Sequence, residues 1–257
     1  MPDPYYRAAL TRYRASRAER LGCAVDDFAS HALAIVPRPE GAYTNLTLIG
    51  VTFGTGTVVS VAPAYLDWVR ANAPADKHYR ALFPNVLLAP LAAEAERRGE
   101  PLHWRAPGLI FLPAREPEAA APPAGLTVAR IDLGWRERWF PTGIFHNSLG
   151  DLEDPADQHF RWGVAIMDGA TPAAVAGAWD DGEGLLEIGV DVAREYRGRG
   201  LGEVVVTNLA RSIADEDAFP TYYCAATNVR SHRTALASGF VPVASSVQAS
   251  PQRPAPA

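Results

Sequence analysis

Between residues 185 and 192 the chain alternates: Leu186, Ile188, Val190 and Val192 stand against Glu187, Gly189 and Asp191. That period of two predicts a β-strand with two distinct faces. A few residues on, Leu201, Val204, Val205, Leu209 and Ile213 recur at helical spacing. An amphipathic helix is therefore expected there. The two patterns are joined by Arg197-Gly198-Arg199-Gly200-Leu201-Gly202. Glycines let such a connection turn tightly and keep side chains away from an incoming ligand. The start of the helix offers backbone amides and the positive end of its dipole, to which Arg197 and Arg199 add formal charge, so the loop reads as a pyrophosphate site.

The same patterning continues on both sides. Residues 126–132 read as a strand, Trp135 to Phe140 as a helix stopped near Pro141, and 141–160 as a long polar connection with one helical turn. A hairpin follows, turning at Asp168-Gly169. After the loop helix come a strand over Tyr222–Ala226, a short helix over Arg230–Ser238 and a last strand, 240–247. Strands alternating with helices predict an α/β fold with a mixed sheet. Upstream, Tyr6, Leu10 and Tyr13 suggest an opening helix, 31–37 a strand, and 43–63 a strand pair turning at Gly54-Thr55-Gly56. Tyr65–Asn72 and Asn85–Arg98 read as helices, the second disturbed by Pro90, and 102–113 as a closing strand.

Composition sets the outer limits. The 257 residues are 48% hydrophobic and 21% charged, with a net charge of −5, enough for two small domains and unlike a general nucleic-acid binder. The proline- and alanine-rich stretch 114–125 is expected as an extended linker. It would separate a smaller α/β domain (1–113) from the main domain (126–248), with 249–257 as a disordered tail. Cys23 and Cys224 make no disulfide framework, and the scattered histidines make no metal site. With no signal-peptide core and no apolar run long enough for a bilayer, a cytoplasmic, membrane-free protein is expected.

Three kinds of phosphate loop compete for residues 197–202. A P-loop needs Gly-Lys-Ser/Thr, which is absent, and a dinucleotide fingerprint needs glycine where Glu203 stands. The pattern Gln/Arg-x-x-Gly-x-Gly/Ala fits at every defined position. It resembles the acetyl-CoA loop of the GCN5-related N-acetyltransferases (GNATs). Residues 221–240 extend the likeness, with Asn228, Ser231, Gly239 and Phe240 where that family places an asparagine, a small residue and a closing Gly-Phe. The resemblance covers about 126–247. Its wording is similar to a branch that includes antibiotic self-resistance acetyltransferases. The upstream domain reads equally as a degenerate GNAT copy or as an unrelated α/β cap.

The resemblance implies an acetyl-CoA-dependent N-acetyltransferase acting on the primary amine of a small molecule or peptide, and a homodimer is common in the family. Backbone groups of Val190, Asp191 and Val192 would hold the pantetheine arm, residues 197–202 the pyrophosphate, and Asn228 and Ser231 the region between. A base must take a proton from the amine before attack. Glu187 is the first candidate and Asp191 the second, since both lie on the face where Gly189 leaves room for a substrate. Each also has a structural alternative: Glu187 bonding a helix amide or pairing with an arginine, and Asp191 pairing with Arg194 or Arg197. Phe145, His146 and Asn147 are the acceptor-binding candidates, whereas Trp135 and Trp139 read first as core. Many GNATs carry a tyrosine acid where this chain has Ala235, so the acid stays unassigned. That substitution also keeps alive a non-catalytic, CoA-binding alternative.

Overall fold

The computed structural model describes residues 2–74, 78–82, 84–150 and 159–252. Part of the expected polar connection, 151–158, and the tail beyond Gln252 lie outside the described residues. The fold is mixed α/β, as the alternation of periods requires, and it forms two compact units.

The larger unit takes residues up to Arg12, Phe111–Cys224 and Asn228–Pro242. Its sheet runs β5(Thr127–Ile131), β6(Phe160–Asp168), β7(Thr171–Asp180), β8(Leu185–Val192) and β9(Phe219–Ala225), in the spatial order β9-β8-β7-β6-β5. Neighbours are antiparallel from β5 to β8, and β9 joins β8 in parallel. Strand β7 is buried from Pro172 through Ala178, the burial of a central strand covered on both faces. One face takes the apolar stripe of α6(Leu201–Ala214), where Leu201, Val205, Val206, Leu209 and Ile213 are buried. Fully burying one such side chain contributes about 1.5–3 kcal/mol. On a second core cluster, Trp135 and Trp139 of α4(Leu133–Trp139) pack beside Phe145 and Leu149, so the tryptophans are core residues. The short helices α5(His146–Leu149) and α7(Val229–Ala237) complete the unit.

Two boundaries differ from those expected. The first half of α1(Pro4–Leu21), up to Arg12, belongs to the larger unit: the Tyr5 ring stands 5.2 Å from Phe219, and Arg12 donates to the Glu183 carbonyl at 3.2 Å. A tyrosine on an amphipathic helix does not reveal which core it enters. The 114–125 stretch is extended but not a free spacer. Asn208 of α6 donates to the Ala120 carbonyl at 2.8 Å, and Arg211 to Glu116 at 2.9 Å.

The smaller unit takes Tyr13–Ile110, Ala225–Thr227 and the chain from Val243. Strands β1(Leu33–Pro37), β3(Thr57–Val61), β2(Leu48–Thr52) and β10(Phe240–Pro251) lie in that order. The β2–β3 hairpin turns through the expected Gly54-Thr55-Gly56, with Gly54 at φ 91°. Helices α2(Leu66–Asn72) and α3(Ala89–Arg97) precede β4(Leu102–Pro113), and Val69, Leu87 and Leu91 pack on the sheet. Helix α3 begins at Ala89 rather than Asn85. Pro90 takes its first turn, where no amide partner is needed, and a π-type turn, Pro84–Leu88, leads in.

The start of the expected tail, residues 249–251, is strand. Ala249 pairs with Leu48, accepts a 2.7 Å bond from the Thr47 amide and is 0% exposed. Pairing to β2 outweighs the disorder that the proline-rich composition suggests. Replacing Ala249 with Asp strands a carboxylate in this core. At about 3 kcal/mol, and roughly 3 °C per kcal/mol for a chain of this size, the melting temperature should fall by roughly 10 °C in a calorimetric scan.

Candidate functional site

Strands β8 and β9 pair only from Leu185↔Phe219 to Glu187↔Thr221, although β8 runs on to Val192 and β9 to Ala225. Beyond Glu187 the two strands part. Val190, Asp191 and Val192 lie in the parted stretch, bonded to β7 through Ala176, Val175 and Ala174. Their backbone groups on the β9 side are therefore not paired with β9.

The loop from β8 to α6 follows at once. Gly198 and Gly200 have φ of 78° and 75°, left-handed values that an L side chain resists. Gly200 caps α6 and no side chain caps it, so the first-turn amides of Leu201, Gly202 and Glu203 have no intrahelical acceptor. Arg197 Nε donates to the Val192 carbonyl at 3.1 Å. The Arg199 guanidinium lies 5.3 Å over the Tyr196 ring, whose hydroxyl donates to Asp168 at 2.9 Å. Both cations are thus held at the mouth of the loop. Open amides, positive φ glycines and two positioned arginines fit a pyrophosphate.

Helix α7 borders this region, since a β-carbon at Gly202 would come within 3.5 Å of the Thr234 side chain. Asn228 caps α7, its Oδ1 accepting from the Ser231 amide at 3.2 Å. The Ser231 hydroxyl shares a 2.7 Å hydrogen bond with the Tyr222 hydroxyl. Both expected ligand contacts on α7 are therefore engaged in holding the helix. Ala235, one turn on, is 0% exposed. Burial pushes the Tyr222 phenol up to about 12 and raises the neighbouring Cys224 thiol, so both stay protonated and neutral near pH 7.

The opposite face of β8 carries Glu187, Gly189 and Asp191, and here the structure corrects the expectation. The room left by Gly189 is filled by protein. A β-carbon there would collide with the Asn147 carbonyl oxygen, and one at its cross-strand partner Gly177 would collide with the Ser148 carbonyl. The backbone of α5 lies directly on this glycine pair. Asp191 then fastens it: Oδ1 accepts from Asn147 Nδ2 at 2.7 Å, and Oδ2 from the Ser148 amide at 2.8 Å and hydroxyl at 3.2 Å. With its oxygens committed to three donors, Asp191 is an anchor rather than a base, and its partners are α5 groups rather than Arg194 or Arg197.

The acceptor candidates separate accordingly. Phe145 is 2% exposed and packs in the core, so its side chain is not a surface contact; alternation of aromatic and polar residues in a loop does not reveal which one turns inward. His146 and Asn147 are exposed, and Asn147 is held by Asp191. Glu187 is half-buried at the last pair before the strands part. It lies in a cross-strand row, Phe160–Trp179–Glu187–Thr221, that runs over four strands. The Arg136 guanidinium stacks 5.2 Å from Phe160 and 5.1 Å from Trp179, while its Nε donates to the Leu149 carbonyl at 2.6 Å. Sequence reasoning missed Ser148, Gly177, Trp179 and Thr221. Glycines inside strands are the signal that marks such a close backbone approach. Among the described residues no cluster of histidine, cysteine or acidic groups could hold a metal ion, and no helix is long and apolar enough to cross a membrane.

Known proteins can be set beside this geometry. The family model for FR47-like protein matches residues 163–240, which span β6 to the start of β10 and include the loop. No curated protein matches the chain. A solved Drosophila protein is 14% identical over 84% of this chain and 77% of its own, with a TM-score of 0.51. At that identity the likeness is one of fold. A GCN5-related N-acetyltransferase from Kribbella flavida is 17% identical over 95% of both chains, at a TM-score of 0.49. A GCN5-related N-acetyltransferase-like protein from Streptococcus suis is 16% identical over 65% of this chain and 68% of its own, at 0.48.

Two measurements follow. Gly189→Ala must lift α5 from the sheet. Overpacking of this kind costs about 1–3 kcal/mol, so the melting temperature should drop by several degrees and the amides of residues 147–150 should exchange faster. For Tyr222 the folded value lies above the ordinary 10.0, so the folded state holds its proton more tightly. That contribution to stability is complete below pH 10 and is lost as pH rises toward about 12. Tyr222→Phe should flatten the alkaline fall in stability across this window, measured by denaturant titration at stepped pH.

Proposed function

We propose that this protein is an acetyl-CoA-dependent N-acetyltransferase of the GNAT type, and that it acetylates a primary amine on a small molecule or peptide. The observation that carries the reading is the glycine–arginine loop on an uncapped helix, set beside two parallel strands that part at Glu187. The FR47-like match over the same segment supports it.

In this reading acetyl-CoA is a cosubstrate. Its pyrophosphate rests on the amides of residues 198–202 with Arg197 and Arg199 alongside. The pantetheine arm lies along the free edge of β8 at Val190–Val192, and a backbone N–H there faces the thioester oxygen as it gains negative charge. The amine approaches from the α5 face, past His146 and Asn147. An ammonium has no lone pair, so a proton must leave before attack; Glu187 is the group on that face placed to take it. The amine nitrogen then bonds the acyl carbon and the carbon–sulfur bond breaks; the nitrogen sheds its second proton as the amide forms, and the departing thiolate takes up one in exchange, so that CoA leaves as the thiol. The similarity of wording to antibiotic self-resistance enzymes makes amine-bearing antibiotics the first acceptors to try.

Buried Ala235, where many GNATs have a tyrosine, favours one rival: a module that binds CoA without turnover. Both readings predict that acetyl-CoA at a hundredfold its dissociation constant stabilises the protein by about 2.7 kcal/mol. Only the enzyme releases CoA thiol when amines are added. Glu187→Gln should keep the acetyl-CoA thermal shift and lose about a hundredfold or more in kcat, with an altered pH profile. A protein that shows no thermal shift with acetyl-CoA is not of this type.

A further inference from the structure

Thr221 is the residue opposite Glu187 in the last β8–β9 pair, on the face of the sheet that carries Gly189 and α5. It is 2% exposed, and its Oγ1 is buried without a hydrogen-bond partner among the described residues. Nearly all buried hydroxyls find a partner, so one left without, next to a carboxylate where two strands part, points to a group that arrives with the substrate. The neighbouring Tyr222 makes the contrast clear. Its side chain points to the other face of β9 and its hydroxyl is satisfied by Ser231.

We propose that Thr221 is an acceptor-binding residue: its Oγ1 accepts a hydrogen bond from the N–H of a primary amine, beside Glu187. An amine nitrogen carries more than one N–H, and the two adjacent acceptors, hydroxyl and carboxylate, lie on neighbouring strands of one face. Held by both, the nitrogen presents its remaining position toward the parted strands. Trp179, on the other side of Glu187 in the same row, offers an apolar surface to the carbon skeleton. This inference rests on the acetyltransferase reading.

The test compares Thr221→Val, which keeps the shape and removes the hydroxyl, with Thr221→Ser, which keeps the hydroxyl. Steady-state acetylation of phenylethylamine and spermidine is followed by release of CoA thiol. In Thr221→Val the KM for amine should rise about fivefold to tenfold, the loss expected for one hydrogen bond. The KM for acetyl-CoA should hold, and the melting temperature should stay level or rise, because a buried polar atom has gone. Thr221→Ser should stay within about twofold of the parent for amine. The inference is overturned if Thr221→Val matches the parent for amine. It is also overturned if Thr221→Val melts lower and loses acetyl-CoA affinity as well, which marks a packing role. A parent protein that binds acetyl-CoA yet acetylates neither amine overturns it for these acceptors, and a parent that does not bind acetyl-CoA fails at the earlier reading.

Discussion

Two parallel strands that stop pairing in mid-course create a demand that the surrounding chain must meet. Past Glu187↔Thr221, the inner edges of β8 and β9 carry peptide groups that no longer bond to each other. Buried peptide groups need partners, so a parted pair of strands is stable only where solvent or a ligand supplies them. The loop to α6 begins directly after the parted stretch, so the amides of the helix start and the edge of β8 are adjacent by chain connectivity alone. The open hydrogen-bonding groups therefore follow from backbone geometry, and Arg197 and Arg199 add positive charge beside them.

The α5 face of the sheet is organised by a different device. Paired glycines at 177 and 189 remove two side chains from neighbouring strands, and α5 lies in the resulting groove. A helix of one turn has almost no stability of its own. Here Asp191 supplies three hydrogen bonds at its start, and Phe145 and Leu149 are buried beneath it. That explains why a carboxylate which looks catalytic on the strand serves instead to hold a loop. Glu187 lies four residues earlier on the same face, where β8 still pairs with β9.

How much of this was legible in the sequence follows from what each signal depends on. Strand β8, its loop and α6 were legible because alternation, glycine spacing and helical period are local properties. The hairpins at Gly54 and Gly169 were legible for the same reason. The role of Gly189 was not, because the group that needs its missing side chain is the backbone of residue 147, some forty positions away in sequence. Phe145 looked like a surface aromatic because nothing in a polar loop marks which residue turns inward. Only the end of the final strand, past Val247, was hidden by its composition: Ala249 is ordered by pairing with β2, not by propensity.

Strand β9 shows how function and stability divide along a single element. Thr221 and Tyr222 are neighbours in sequence, both buried, and each carries a hydroxyl. Alternation sends them to opposite faces. The phenol meets Ser231 at the start of α7, which in turn is held by Asn228, so that face is closed by the protein's own groups. The threonine meets none among the described residues. A fold selected only for stability would place valine there, since the shape is nearly the same and the desolvation of the hydroxyl is avoided. In the acetyl transfer proposed for this protein, the hydroxyl beside Glu187 would give the acceptor nitrogen a fixed partner at the place where its proton is lost.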